Sequence, residues 1–144
     1  MRGSKVLFSH DSDEWYTPQE FYDQLDREFH FTVDPCATHE NHMCAKYYTM
    51  EEDGLRQPWS GEVVFCNPPY SQIKQWLEKV KHEHETGGGT IVLLLPVRTS
   101  TIWFHEYVYH KAEIRFIRGR LKFSGSKQRA PFDSMVVIYR KEER

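Results

Sequence analysis

Residues 62–96 read EVVFCNPPYSQIKQWLEKVKHEHETGGGTIVLLLP. Two short apolar runs, EVVFC and TIVLLLP, enclose a longer amphipathic stretch. Each run is bounded by turn signals and is of strand length. Between them Ile73, Trp76, Leu77 and Val80 fall on one face of a helix, and the glycines of TGGG stop it. TIVLLLP has no polar alternation, which predicts a strand in a sheet covered on both faces.

The same alternation continues outward. Upstream, TPQEFYDQLDREF predicts a helix with Thr17 as cap, Pro18 at the first helical position, and Phe21, Leu25 and Phe29 on one face. FTVD follows as a short strand ending in an acid. Residues 36–60 show little periodicity. Downstream, STIWFHEYVYH predicts a helix, EIRFI a strand, LKFSGSKQRAPFD a basic loop and SMVVIYR a last strand. No helix separates the last two strands, so they are expected to form a hairpin. The prediction is an α/β three-layer sandwich with a mostly parallel sheet and an antiparallel last strand. It forms one domain over residues 15–144, after a flexible stretch at 1–14.

Composition fits this class. The 144 residues are 39% hydrophobic, 28% charged and 15% aromatic. That is enough to bury a core without metal or disulfide staples. Net charge is −2, so nucleic-acid binding would need a local basic patch. Three cysteines, an odd number without a framework, point to a reducing, cytoplasmic setting. No apolar run has the length of a membrane span, and no membrane partner is expected.

In an open α/β sheet, ligands bind beyond the carboxyl ends of the strands. Three polar turns are expected on that rim: Asp34-Pro35-Cys36-Ala37, Asn67-Pro68-Pro69-Tyr70, and Pro96-Val97-Arg98. The two prolines after Asn67 fix φ and remove two donors while keeping their carbonyls as acceptors. Asn67, ahead of Pro68, is pushed toward an extended conformation. Its side-chain oxygen and the Pro68 carbonyl can then converge on one NH₂ group, with the Tyr70 ring as a flat face beside it. The motif reads as a clamp for an amine on a conjugated ring or amide.

NPPY resembles the catalytic motif of amino-methyltransferases that use S-adenosylmethionine. Together with WYTPQEF, VDPCAT, EEDGL, LLLPVRTSTIWFHEYV and AEIRFIRGRLKF, it makes the chain similar to the phage-type DNA N-6-adenine methyltransferase (Dam-like) family over most of residues 14–140. The resemblance implies a Rossmann-like methyltransferase fold of reduced size. It implies methyl transfer from S-adenosylmethionine to N6 of an adenine flipped out of double-stranded DNA. It also implies a phage or prophage protein acting in the bacterial cytoplasm. By position, Asn67, Pro68, Pro69 and Tyr70 match the catalytic clamp. Thr17 and Pro18 match the segment bordering the methionine part of the cofactor, and Asp34, Pro35, Cys36 and Ala37 the cofactor turn, to which Asn67 also contributes. Asp53 resembles the acid that holds the cofactor's adenine, with Glu51 and Glu52 as alternatives. The glycine-rich first turn common in methyltransferases is missing here. A protein-glutamine methyltransferase and a degenerate, DNA-binding methylase are the rival readings.

The stretch RFIRGRLKFSGSKQR carries Arg115, Arg118, Arg120, Lys122, Lys127 and Arg129 without an intervening acid. Arg118, Arg120, Lys122, Lys127 and Arg129, with Arg98 on the rim, are the candidates for DNA contact. A chain of this size leaves little room for a separate recognition domain, so a homodimer could read a short palindrome. Cys36, His39, His42 and Cys44 have the spacing of a tight zinc site, but Cys36 belongs to the cofactor turn, and no metal is expected.

Overall fold

The computed structural model describes residues 15–141; the flexible stretch expected at 1–14 lies outside them. The elements are α1 (Gln19–Phe29), β1 (Val64–Cys66), α2 (Ile73–Gly87), β2 (Ile91–Pro96), β3 (Glu113–Phe116) and β4 (Ser134–Tyr139). One turn of 3₁₀ helix, Tyr70–Gln72, leads into α2. The helix expected after β2 forms as a short helical run containing a π-helical segment, Phe104–Val108.

The sheet order is β1-β2-β4-β3. β1 pairs with β2 in parallel, and β4 is antiparallel to both β2 and β3. Three strands therefore run one way and β4 alone runs against them. The hairpin of β3 and β4 forms as expected, but β4 inserts between β2 and β3. Composition explains which strand goes inside. SMVVIY is wholly buried, whereas EIRF exposes Glu113 and Phe116 and suits an edge.

FTVD is reduced to two isolated bridges. Val33 pairs in parallel with Val64, extending the sheet beyond β1, and Asp34 pairs with Tyr47. Its backbone is held by Asp34 N–H to Lys46 O (3.1 Å) and Tyr48 N–H to Asp34 O (3.0 Å). α1 starts one residue later than expected. Pro18 is the cap residue itself, in an extended conformation, and Thr17 makes no capping bond. Pro18 O accepts the first helical bond, from Tyr22 N–H at 3.0 Å.

The continuous apolar character of β2 now has a cause. Ile91, Leu93 and Leu95 pack with Val64, Cys66, Met135 and Val137 against Ile73, Trp76, Leu77 and Val80 of α2. Val92 and Leu94 pack with Phe65, Val136 and Ile138 against Tyr22 and Leu25 of α1, and against Phe123 and Ala130 of the β3–β4 loop. Both faces of the sheet are buried, so period-2 alternation disappears. Each fully buried Leu contributes about 1.5–3 kcal/mol. This packing fixes the carboxyl ends of Val33, β1, β2 and β3 on one rim.

Candidate active site

A cavity of about 420 Å³ opens at that rim. Of the residues singled out from sequence, Thr17, Asp34, Pro35, Cys36, Ala37, Asp53, Asn67, Pro68 and Pro69 line it. Stretches separated by dozens of residues meet here because the strand ends deliver them to one place.

Asp34 is buried, and its carboxylate is the anchor of the first turn. One oxygen accepts Cys36 N–H (3.2 Å) and the other Met43 N–H (3.0 Å). Burial pushes its pKa up to about 6, while the two N–H groups pull the other way. A carboxylate thus organises the turn that glycines would shape in a glycine-rich loop.

The EEDGL stretch closes the opposite wall. Glu52 folds back on Thr49, accepting its N–H (2.8 Å) and hydroxyl (2.9 Å), as in a capping box. Those hydrogen bonds hold the Glu52 carboxyl below its usual range. Asp53 ends this turn in the left-handed region, with φ of 59°. Its carboxylate accepts Leu55 N–H at 3.2 Å and lies 3.4 Å from Arg56. Asp53 lines the cavity, whereas Glu51 and Glu52 do not. Gly54 lies so close to the first turn that a Cβ would stand 1.9 Å from Pro35 O.

Asn67 is the junction of the site. Its Nδ2 donates to Trp15 O and to Thr17 Oγ1 (3.0 Å), and its Oδ1 is buried without a partner. Tyr70 lies outside the cavity wall and is buried. It stacks near Trp15, with centroids 6.4 Å apart, and meets the edge of Phe132. The Arg98 guanidinium lies 5.7 Å from the Tyr70 ring centroid. Burial drives the Tyr70 hydroxyl well above its ordinary pKa, with Arg98 opposing. Pro18 also lies outside the wall.

Several wall residues come from the stretch without periodicity: Thr38, Asn41, Met43, Tyr48 and Met50. Trp76, read from sequence as core, is buried and also reaches the wall, with its Nε1–H unpartnered. Trp15 lines the cavity too. The zinc alternative disperses. His39 meets Tyr47 OH (3.0 Å), His42 meets Cys44 O (2.8 Å), and Cys44 meets the Tyr22 hydroxyl (3.2 Å). Among the described residues no cluster has the arrangement of a metal site.

The basic stretch divides. Arg115 is absorbed in a bidentate pair with Glu28 (2.7 Å to each oxygen) and a contact with Glu113. Arg120 pairs with Asp133, and Arg129 donates to Arg120 O. Arg118, Lys122 and Lys127 are exposed. Arg120, Lys122, Lys127 and Arg129 line a shallow groove. The loop that carries them is tied to the cavity. Ser124 N–H and Oγ donate to Tyr16 O (2.9 Å) and Thr17 O (3.1 Å), and Phe123 and Phe132 pack on Trp15.

Comparison with known sequences gives the family. Residues 4–143 match the profile of DNA N-6-adenine-methyltransferase (Dam). The chain belongs to that family. It is 34% identical over 115 residues to the DNA N-6-adenine-methyltransferase of Escherichia phage T1, covering 76% of this chain and 46% of the relative. It is 31% identical over 109 residues to the enzyme of that name from Haemophilus phage HP1, covering 74% of this chain and 63% of the relative. The chain thus spans less than two thirds of the length of these family members. Among the described residues no helix is long and apolar enough to cross a membrane.

Proposed function

We propose that this chain transfers a methyl group from S-adenosylmethionine to N6 of adenine in double-stranded DNA, on a Rossmann-like, three-layer methyltransferase fold. The sheet supports the fold reading: a segment at Val33, then β1, β2, β4 and β3, with β4 alone reversed and the cavity at the carboxyl ends.

The observation that carries the function is the charge of the cavity. Its wall contains two carboxylates, Asp34 and Asp53, and among the described residues none that lines it is Lys, Arg or His. Such a wall favours a cationic ligand. The aromatic and aliphatic surfaces of Trp15, Tyr48, Ala37 and Leu55 suit a flat ring. S-adenosylmethionine fits this set. Asp53 would hold its adenosine part, the 34–37 turn its middle, and Thr17 would border its methionine part. When bound it supplies an electrophilic methyl on a sulfonium.

The chain's own residues then act on the target amine. Asn67 Oδ1 and Pro68 O accept hydrogen bonds from its two N–H groups, favouring a more tetrahedral nitrogen and stabilising positive charge as it develops there. Tyr70 stacks on the flipped base. Since Tyr70 and Asn67 Oδ1 are both covered in this structure, the base side of the site must open to admit an adenine. Arg98 and the exposed cations Arg118, Lys122 and Lys127, with Arg120 and Arg129 in the groove, hold DNA phosphates, in one protomer or in a homodimer. The work is done in the cytoplasm of a phage host.

The test is transfer from labelled S-adenosylmethionine to unmethylated duplex DNA, with nucleoside mass spectrometry. The expected product is N6-methyladenine, lost in Asn67→Ala while calorimetric cofactor binding persists. No methylated base despite cofactor binding would refute the DNA substrate; no cofactor binding would refute methyl transfer.

A further inference from the structure

The amide of Asn67 has two ends, and only one suits an acceptor for the target amine. In the structure the other end is engaged twice. Nδ2 donates to Trp15 O and to Thr17 Oγ1, which lies 3.0 Å away. A backbone carbonyl accepts and never donates, so the amide atom against Trp15 O has to be the NH₂. Turning the amide over would set oxygen against oxygen. Both amide protons are thereby used, and Oδ1 is left buried with no partner. An unsatisfied buried acceptor is uncommon and calls for an explanation.

We infer that Trp15 and Thr17 are positioning residues that lock the Asn67 amide with its oxygen toward the acceptor amine. This rests on the methyltransferase reading of the site. It also gives Thr17 a role other than contact with a methyl donor. Thr17 is well placed for it: buried, with its own carbonyl held by Ser124 Oγ at 3.1 Å and its neighbour Tyr16 held by Ser124 N–H at 2.9 Å. The loop that carries the basic groove therefore braces the residues that aim the clamp.

A consequence is that Asn and Asp are not equivalent at position 67 in this chain. An ionised carboxylate would place an acceptor against Trp15 O. Only a protonated Asp can donate there, so Asn67→Asp should regain activity as pH falls.

Three variants, Thr17→Val, Thr17→Ser and Asn67→Asp, test the inference with three readouts. In ligand-free protein, ¹⁵N NMR should show the Asn67 NH₂ protons protected from exchange in wild type, and one of them deprotected in Thr17→Val. Single-turnover methyl transfer at saturating S-adenosylmethionine and DNA should fall about tenfold or more in Thr17→Val, the loss expected when an aligned acceptor is freed. Cofactor affinity by calorimetry should fall by a smaller factor than the saturated rate. Thr17→Ser should restore the rate, and Asn67→Asp should gain rate toward acid pH while wild type does not. An unchanged saturated rate with weakened cofactor binding in Thr17→Val would overturn the inference and make Thr17 a cofactor contact. Full activity of Asn67→Asp at pH 8 would overturn it as well. A wild-type protein that methylates no DNA would defeat the underlying function, while the NMR readout would still decide the amide orientation.

Discussion

Gly54 sits so close to Pro35 in the cavity wall that a Cβ has no room there, and Gly54→Ala tests whether the contact is rigid. A Cβ at position 54 would lie 1.9 Å from Pro35 O and 2.9 Å from Pro35 C. Both are backbone atoms, so no side chain can swing aside. Restoring an ordinary contact of at least 3.4 Å requires a relative shift of about 1.5 Å, in a core that tolerates small misfits poorly. Pro35 cannot move freely, because Asp34 beside it holds the N–H groups of Cys36 and Met43. Gly54 cannot move freely either, because its carbonyl accepts Trp59 Nε1–H at 3.1 Å. Overpacking of this kind costs about 1–3 kcal/mol. Loss of one of those buried hydrogen bonds adds about 1 kcal/mol. The expected destabilisation is therefore about 2–4 kcal/mol, read as a lowered urea midpoint with unchanged slope. S-adenosylmethionine binding should weaken with it, because the displaced atoms are wall atoms. Gly61→Ala is the control. Gly61 has φ of 76° but nothing within 4 Å of its added Cβ, so it should show only backbone strain of about 1–2 kcal/mol and no change in binding. If Gly54→Ala matched Gly61→Ala in both stability and binding, the argument from the Pro35 contact would be refuted.

Three further outcomes are expected. Asp34 has its pKa raised to about 6 by burial. The folded state therefore binds a proton more tightly than the unfolded one, and stability falls as pH rises from about 4 to about 6, by up to about 3 kcal/mol, then levels off. The slope of urea midpoint against pH across that window should be more negative in wild type than in Asp34→Asn; parallel curves would contradict the assignment. Leu77→Ala, at a fully buried position between α2 and β2, should cost about 2–5 kcal/mol in equilibrium unfolding, and a loss below 1 kcal/mol would mean that this face of the sheet is loosely packed. Lys122→Ala and Lys127→Ala should each lower the slope of log affinity against log salt by about 1 for duplex DNA, with turnover at saturating DNA retained. An unchanged slope would remove the groove from the DNA interface.

Elements with local signals were legible in the residues themselves. The helical spacing of Ile73, Trp76, Leu77 and Val80 gave α2, and the glycine stop ended it, with Gly88 in the left-handed region. The unbroken apolar run at 91–96 foretold burial on both faces. NPPY fixed the stiff turn after β1, because proline restricts the backbone whatever surrounds it. Other features depended on partners distant in the chain. The insertion of β4 beside β2 is a choice among long-range pairings, and only burial of SMVVIY on both faces favours it. The stretch at 36–60 has no period to read, since it is held by turns, by the bonds of Asp34 to backbone N–H groups and by the approach of Gly54 to Pro35. The basic run looked uniform in sequence, yet Arg115 is neutralised by Glu28 of α1, while Lys122 and Lys127 remain exposed. The partner of the Asn67 amide, a carbonyl at residue 15, lies on a strand-free segment whose neighbours Tyr16 and Thr17 are held by Ser124, more than a hundred residues away. Local backbone preference is written in neighbouring residues; which donor meets which acceptor across fifty residues is decided by packing.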